Sequence, residues 1–156
     1  MNERRLATYL NDRHAILTAG TQLADRARTS NADTVYGPLL ERIAQDLESD
    51  HALLRTLMDA NDVSPDRVKS SLAWVGEKLG RLKPNDQLVG YSPLSRVIEF
   101  DGLTAIIATL DGTWVALKPL LTAQQDELEA AHARAQRNLD ELGSLRPQAV
   151  HEAVVD

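Results

Sequence analysis

The stretch "QDLESDHALL" (residues 45–54) decides how this chain is read. It sets Glu48 three residues before His51, and "QDELEAAHARA" (125–135) repeats the spacing with Glu129 and His132. Leu47 and Leu54 in the first stretch, and Leu128 and Ala135 in the second with Leu139 and Leu142 beyond it, recur at helical rather than alternating spacing, so each predicts a helix. Residues three apart on a helix are surface neighbours. Two helices that each carry a carboxylate and an imidazole one turn apart raise the question of a metal centre held between them.

Outward from these stretches, the helical period extends over most of the chain. A first helix is predicted from about Asn2 to about Thr29, with Leu6, Leu10, Leu17, Leu23 and Ala27 on one stripe. "TSNADT" (29–34) breaks it, with Asp33 as candidate cap for the next helix. The second helix carries Tyr36, Leu39, Ile43, Leu47, Leu54 and Leu57, and Pro38 limits its first turn. Ser64-Pro65 reads as a cap and a first-turn proline, opening a shorter helix through "VKSSLAWVGEKLG" (68–80). After the loop "RLKPNDQLVGY" (81–91), Ser92-Pro93 repeats the start signal for a long helix with Phe100, Leu103, Ile107, Leu110, Trp114 and Leu117 aligned. A last helix is expected from about Leu121 to Leu142 with Gly143 as its cap, leaving residues 146–156 as a tail beyond a domain of residues 1–145. Two long hairpins joined by a connection that holds its own short helix is the all-α, ferritin-like four-helix bundle arrangement.

Composition narrows the function classes. The 156 residues suffice for one domain with a core, and because aromatics are only 4%, that core must be aliphatic. The absence of cysteine excludes disulfides, thiolate metal sites and cysteine nucleophiles, and fits a cytoplasmic protein. A net charge of -6 gives no bulk attraction for nucleic acid or anionic lipid. The charged start "MNERRLATYLNDRH" (1–14) has no apolar core of a secretory signal, and no uninterrupted apolar run has transmembrane length.

Facing tests the metal reading. Each residue advances about 100° around a helix. Relative to the Ile43–Leu47 stripe, Glu48 lies about 130° away, His51 about 70° and Asp50 about 30°, so Asp50 is the carboxylate aimed inward. On the last helix His132 falls within about 45° of the stripe while Glu129 lies about 105° off it. A di-metal bundle also needs a glutamate from each of the other two helices. The first helix has none after Glu3, and the third offers Glu99 and Asp111 at its stripe margins. The di-iron or other di-metal alternative therefore rests on Asp50, His51, Asp111, Glu129 and His132.

The first stripe holds Arg13 at its centre, where an unpaired charge would be costly. Counting back from the "TSNADT" turn puts Arg13 opposite Asp50, and a bidentate Arg13–Asp50 ion pair is expected. With His132 and Asp111 at the same height, these four residues are expected to form a buried polar layer that fixes helix register. An anion or small-molecule pocket around Arg13 is the functional counterpart of that layer. Arg96 sits on its own stripe near the helix start, where its stem can snorkel. Lys78, Arg81 and Lys83 read as a solvated basic patch, and Trp74 and Trp114 as core residues. His14 and His151 have no evident partner. Triad order, a glycine-rich phosphate loop and zinc-ligand spacing are all missing from the sequence.

"TYLNDRHAIL" (8–17), "EKLGRLKPND" (77–86) and "YSPLSRVIEFDGL" (91–103) resemble an uncharacterised bacterial, actinobacterial-type family of ferritin-like helical bundles. The resemblance covers nearly all of the chain before the tail. It matches an Asn-Asp pair to Asn11-Asp12 and an aspartate to Asp50, with arginine usual where this chain has His51. It implies the fold and a cytoplasmic location and brings no activity with it. The expectation is a non-enzymatic structural, stress-associated or interaction protein without an intrinsic cofactor, dimeric through its apolar tail.

Overall fold

The computed structural model describes residues 2–66 and 91–155. The expected helix over 68–80, Trp74 and the basic group Lys78, Arg81 and Lys83 lie outside the described residues. Within them the chain is all-α, with four long helices: α1 (Glu3–Ser30), α2 (Gly37–Asp59), α3 (Pro93–Leu117) and α4 (Gln125–Val154), the last entered through a short 3-10 turn, Thr122–Gln124.

Local chemistry sets the helix starts. Asn2 caps α1 by accepting the Arg5 amide, and Ser92 caps α3 by accepting the Ser95 amide just ahead of Pro93. Asp33 does not cap α2. Instead Thr34 Oγ1 donates to the Asn31 carbonyl, the chain turns once more, and α2 begins at Gly37 without a side-chain cap. Glycine is required there, because a Cβ would stand 2.6 Å from the Ala32 carbonyl oxygen.

α4 does not stop at Gly143. It runs twelve residues beyond Leu142, through Gly143 and Pro147, and buries Ala149. Proline lacks an N–H and crowds the carbonyl four residues before it. That residue is Gly143, whose bare backbone has open space around it. The expected tail is thus the last third of a helix, held to α3 by an ion pair between Arg96 and Glu152 at 2.6 Å.

Cross-helix contacts give the directions. α1 and α2 form one hairpin and α3 and α4 the other. α3 packs antiparallel against α1: Tyr91 and Arg96 sit at Asn31, Glu99 at Arg26 and Ile106 at Gly20. At the opposite end, Asp66 N donates to Asn11 Oδ1 at 2.7 Å. The chain therefore leaves α2 at one end of the bundle and enters α3 at the other, and α2 and α3 run parallel. α2 in turn faces α4.

The core is aliphatic around a few aromatics. Leu10, Leu17, Leu40, Ile43, Leu47, Leu54, Leu103 and Leu110 are fully enclosed with Phe100 and Trp114, and Tyr36 meets Phe100 edge-on at 5.5 Å. The α1–α3 contact is close because each helix offers a glycine to the other, Gly20 to Ile106 and Gly102 to Leu23. By length and composition α3 also passes as a membrane span, a test that the core helix of a bundle passes equally.

Candidate functional site

The interior polar groups fall into seams between helices. Along the α2–α4 seam, residues four apart on α2 meet residues three or four apart on α4. Arg42 pairs with Glu141, Asp46 accepts from Arg137 at 2.7 Å and Asn138 at 2.9 Å, and Asp50 accepts from Arg134. Asp50 is the buried member, 3% exposed, and takes both Arg134 Nε (3.1 Å) and Nη2 (2.5 Å) on Oδ1. Burial pushes its carboxyl up to about 6; Arg134 pulls it back down, and Asp46 pushes it further up.

The expected Arg13–Asp50 pair does not form. Asp50 faces α4, whereas α1 lies on the other flank of α2. Counting from the turn gave the right height but could not give the side. At that height the α1 residue that reaches α2 is His14, whose ring stacks on His51 with centroids 5.0 Å apart and planes tilted by 37°. Arg13 lays its guanidinium over the Tyr9 ring at 4.7 Å from the centroid. Its Nε is buried without a hydrogen-bond partner among the described residues, as are His14 Nδ1 and His51 Nε2. Burial, with help from His51 and Arg55, holds His14 below the usual histidine range.

The residues of the di-metal reading are dispersed. Asp111 and His132 meet across the α3–α4 seam at 2.6 Å, both partly exposed. Glu129 lies on the outer face of α4 and bonds Lys118. His51 is in the α1–α2 seam, Asp50 in the α2–α4 seam, and Glu48 is exposed. Among the described residues no three His, Asp or Glu side chains gather as a ligand group. A di-metal centre does not fit this set, because Asp50 and Glu129 are each committed to a cation of the chain and the imidazoles face different seams. Asp50, His132 and Asp111 do stand at one height with Arg13, but as separate pairs rather than one connected layer.

Among the described residues, the largest connected polar cluster lies elsewhere, at the end of the bundle where α1 and α4 finish and α3 starts. Asn31, fully buried, donates from Nδ2 to the Ala27 carbonyl at 2.8 Å and to Tyr91 Oη at 2.6 Å, and accepts from Arg96 Nε at 2.7 Å. The Tyr91 hydroxyl donates to Glu99 Oε2 at 2.7 Å. Glu99, 3% exposed, has Arg26 Nε 3.0 Å from its other oxygen, an ion pair outside hydrogen-bond alignment. Arg96 spreads over the Tyr36 ring and reaches Glu152. Burial raises both Glu99 and Tyr91; the Tyr91 hydrogen bond and Arg26 act to lower Glu99. Sequence reasoning marked Arg96 and Glu99 singly and missed Asn31, Tyr91 and Glu152. The available signal was polar residues at three helix ends that the bundle topology brings together.

Chemically, the buried carboxylates Asp50 and Glu99 are held by groups of the same chain, whereas Arg13, His14 and His51 each keep a buried nitrogen without a hydrogen-bond partner among the described residues. Two surface depressions at the other end of the bundle are lined by α1 with the residues after α2 (about 450 Å³) and by α1 with the end of α3 (about 320 Å³). Of the candidate residues named above, neither depression touches Arg13, Asp50, His51, Asp111 or His132. Comparison with known proteins finds no matching family model, no matching curated protein and no matching solved structure.

Proposed function

We propose that this chain is a ferritin-like helical bundle with a non-enzymatic role, a small cytoplasmic structural, stress-associated or interaction module that works as a homodimer without an intrinsic cofactor. The observation that carries the reading is the fate of the two buried carboxylates. Asp50 is taken by Arg134, and Glu99 by Tyr91 and Arg26, all of the same chain. Asp50 is a poor metal ligand, because coordination would strand the partly buried Arg134 guanidinium. The ferritin-like topology is supported by α2 and α3 running parallel. Membership of the actinobacterial-type group that the sequence resembles is part of the same proposal. So is cytoplasmic residence, which the lack of cysteine supports.

Elemental analysis of tag-free protein, purified with and without added Fe(II), tests the reading. The expected content is far below one metal per chain. One iron, manganese or zinc per chain, lost in both His51→Ala and His132→Ala, would replace it with the di-metal reading.

A further inference from the structure

The α1–α2 seam is paired differently from the α2–α4 and α3–α4 seams. Those join opposite charges, Asp50 to Arg134 and Asp111 to His132. Here two bases meet: His14 of α1 stacks on His51 of α2 with centroids 5.0 Å apart. Each ring keeps a buried nitrogen, Nδ1 of His14 and Nε2 of His51, without a hydrogen-bond partner among the described residues. The charged groups around the rings do not offset a positive charge between them. On α2, Arg55 lies one turn after His51 and acts with it on His14. Glu48, one turn before His51, is exposed, and Asp50 is held by Arg134 on the α4 side. On α1, Arg13 turns onto the Tyr9 ring and Asp12 is exposed. On α3 and α4, Asp111 and His132 are taken up with each other. Burial, then His51 and Arg55, hold His14 below the usual histidine range, so that it is uncharged at neutral pH.

We infer that the His14–His51 contact is an acid-operated latch: proton uptake by both rings parts α1 from α2 around them and opens apolar surface to a partner. This rests on the stress-associated or interaction reading above and names its trigger. Histidine is the side chain whose ordinary titration falls in the mildly acidic range. Two imidazolium rings in contact repel, and Arg55 adds a third positive charge. The surface they guard is aliphatic. Leu10 and Leu17 stand one turn to either side of His14, and Leu47 and Leu54 one turn to either side of His51, all four fully enclosed. Parting the rings uncovers these leucines, the kind of exposed apolar patch that captures a partner. The opening is local. At the turn end, α1 and α2 stay tied by Arg28 and Glu41 at 3.4 Å and by Thr34 Oγ1 donating to the Asn31 carbonyl. In the α3–α4 hairpin the histidine, His132, faces the carboxylate of Asp111, so positive charge on that ring is matched rather than opposed.

The test is hydrogen exchange of the full chain, read by mass spectrometry at about pH 7.5 and about pH 5.5 and corrected for the intrinsic pH dependence of exchange, with circular dichroism to confirm folding. At the lower pH, wild type is expected to lose protection about tenfold or more over residues 8–20 and 46–58, while residues 97–114 of α3 keep theirs. The apolar dye anilinonaphthalene sulfonate is expected to bind at the lower pH alone. His14→Phe and His51→Phe, which put an uncharged ring in the stack, are expected to abolish both effects, and so is His14→Gln, which keeps a neutral polar group where phenylalanine does not fit. His132→Asn is expected to leave both as in wild type. A loss of protection shared equally by all four helices, one that survives in the His14 and His51 variants, one abolished by His132→Asn, or no loss at all would each overturn the latch. Protection lost without dye binding would overturn the apolar opening. Each of these failures leaves the non-enzymatic reading in place, since elemental analysis tests that reading separately.

Discussion

Replacing Asp50 with asparagine isolates the electrostatics of the α2–α4 seam. The change keeps the side-chain shape and an acceptor for Arg134 but removes the charge. Asp50 is 3% exposed, and its carboxyl is raised to about 6 from an ordinary 3.8. Burial thus outweighs the attraction of Arg134. A carboxyl whose folded value is raised contributes stability fully present below its unfolded value and lost as pH rises through the folded one. Two units correspond to about 3 kcal/mol, lost between about pH 4 and about pH 7. Asp50→Asn cannot titrate there. All other carboxylates are common to both proteins, so the difference between them reports residue 50. Urea unfolding followed by circular dichroism, run at several pH values across this window, measures it. The variant should gain about 3 kcal/mol on wild type from the acid to the neutral end. If it loses ground as pH rises, Arg134 stabilises the ionised carboxylate by more than burial penalises it, and the reasoning fails.

Three further outcomes follow from particular contacts. Gly20→Ala should cost about 1–2 kcal/mol, since the new Cβ meets Ile106 Cγ2 at 2.9 Å and that methyl is fixed to a branched Cβ, whereas Gly102→Ala should stay within about 1 kcal/mol because Leu23 Cδ2 can swing away; thermal unfolding of the two variants compares them. Asn31→Ala should cost about 1–3 kcal/mol by leaving Arg96 and Tyr91 short of a partner, read by urea unfolding at neutral pH. His14 is held below its ordinary value, so its contribution is present above that value and disappears as pH falls through the histidine range; His14→Phe should flatten the acid loss of stability there, seen in melting temperature against pH.

The helices and their buried faces were legible because they depend on local spacing. α1 and α3 begin where Asn2 and Ser92-Pro93 announce them, and on α2 the 100° rule separates exposed Glu48 from buried Asp50 two residues later. What depends on lateral arrangement was not legible. The sequence pointed Asp50 at Arg13 alone, and only the placement of α4 beside α2 gives it to Arg134. The end of α4 was misjudged because Gly143 read as its cap, while the helix continues through Gly143 and Pro147. The cluster around Asn31 joins residues more than a hundred positions apart, and nothing local signals it.

Asp50 is held by Arg134, and Glu99 by Tyr91 with Arg26 beside it, and the expectation of no metal centre rests on these contacts. Melting temperature with and without Fe(II), Mn(II) or Zn(II) tests it most directly, since any ion bound by the native state alone raises it. No change is expected with any of the three ions. A rise of several degrees with Fe(II) in wild type, absent in His132→Ala, would contradict it.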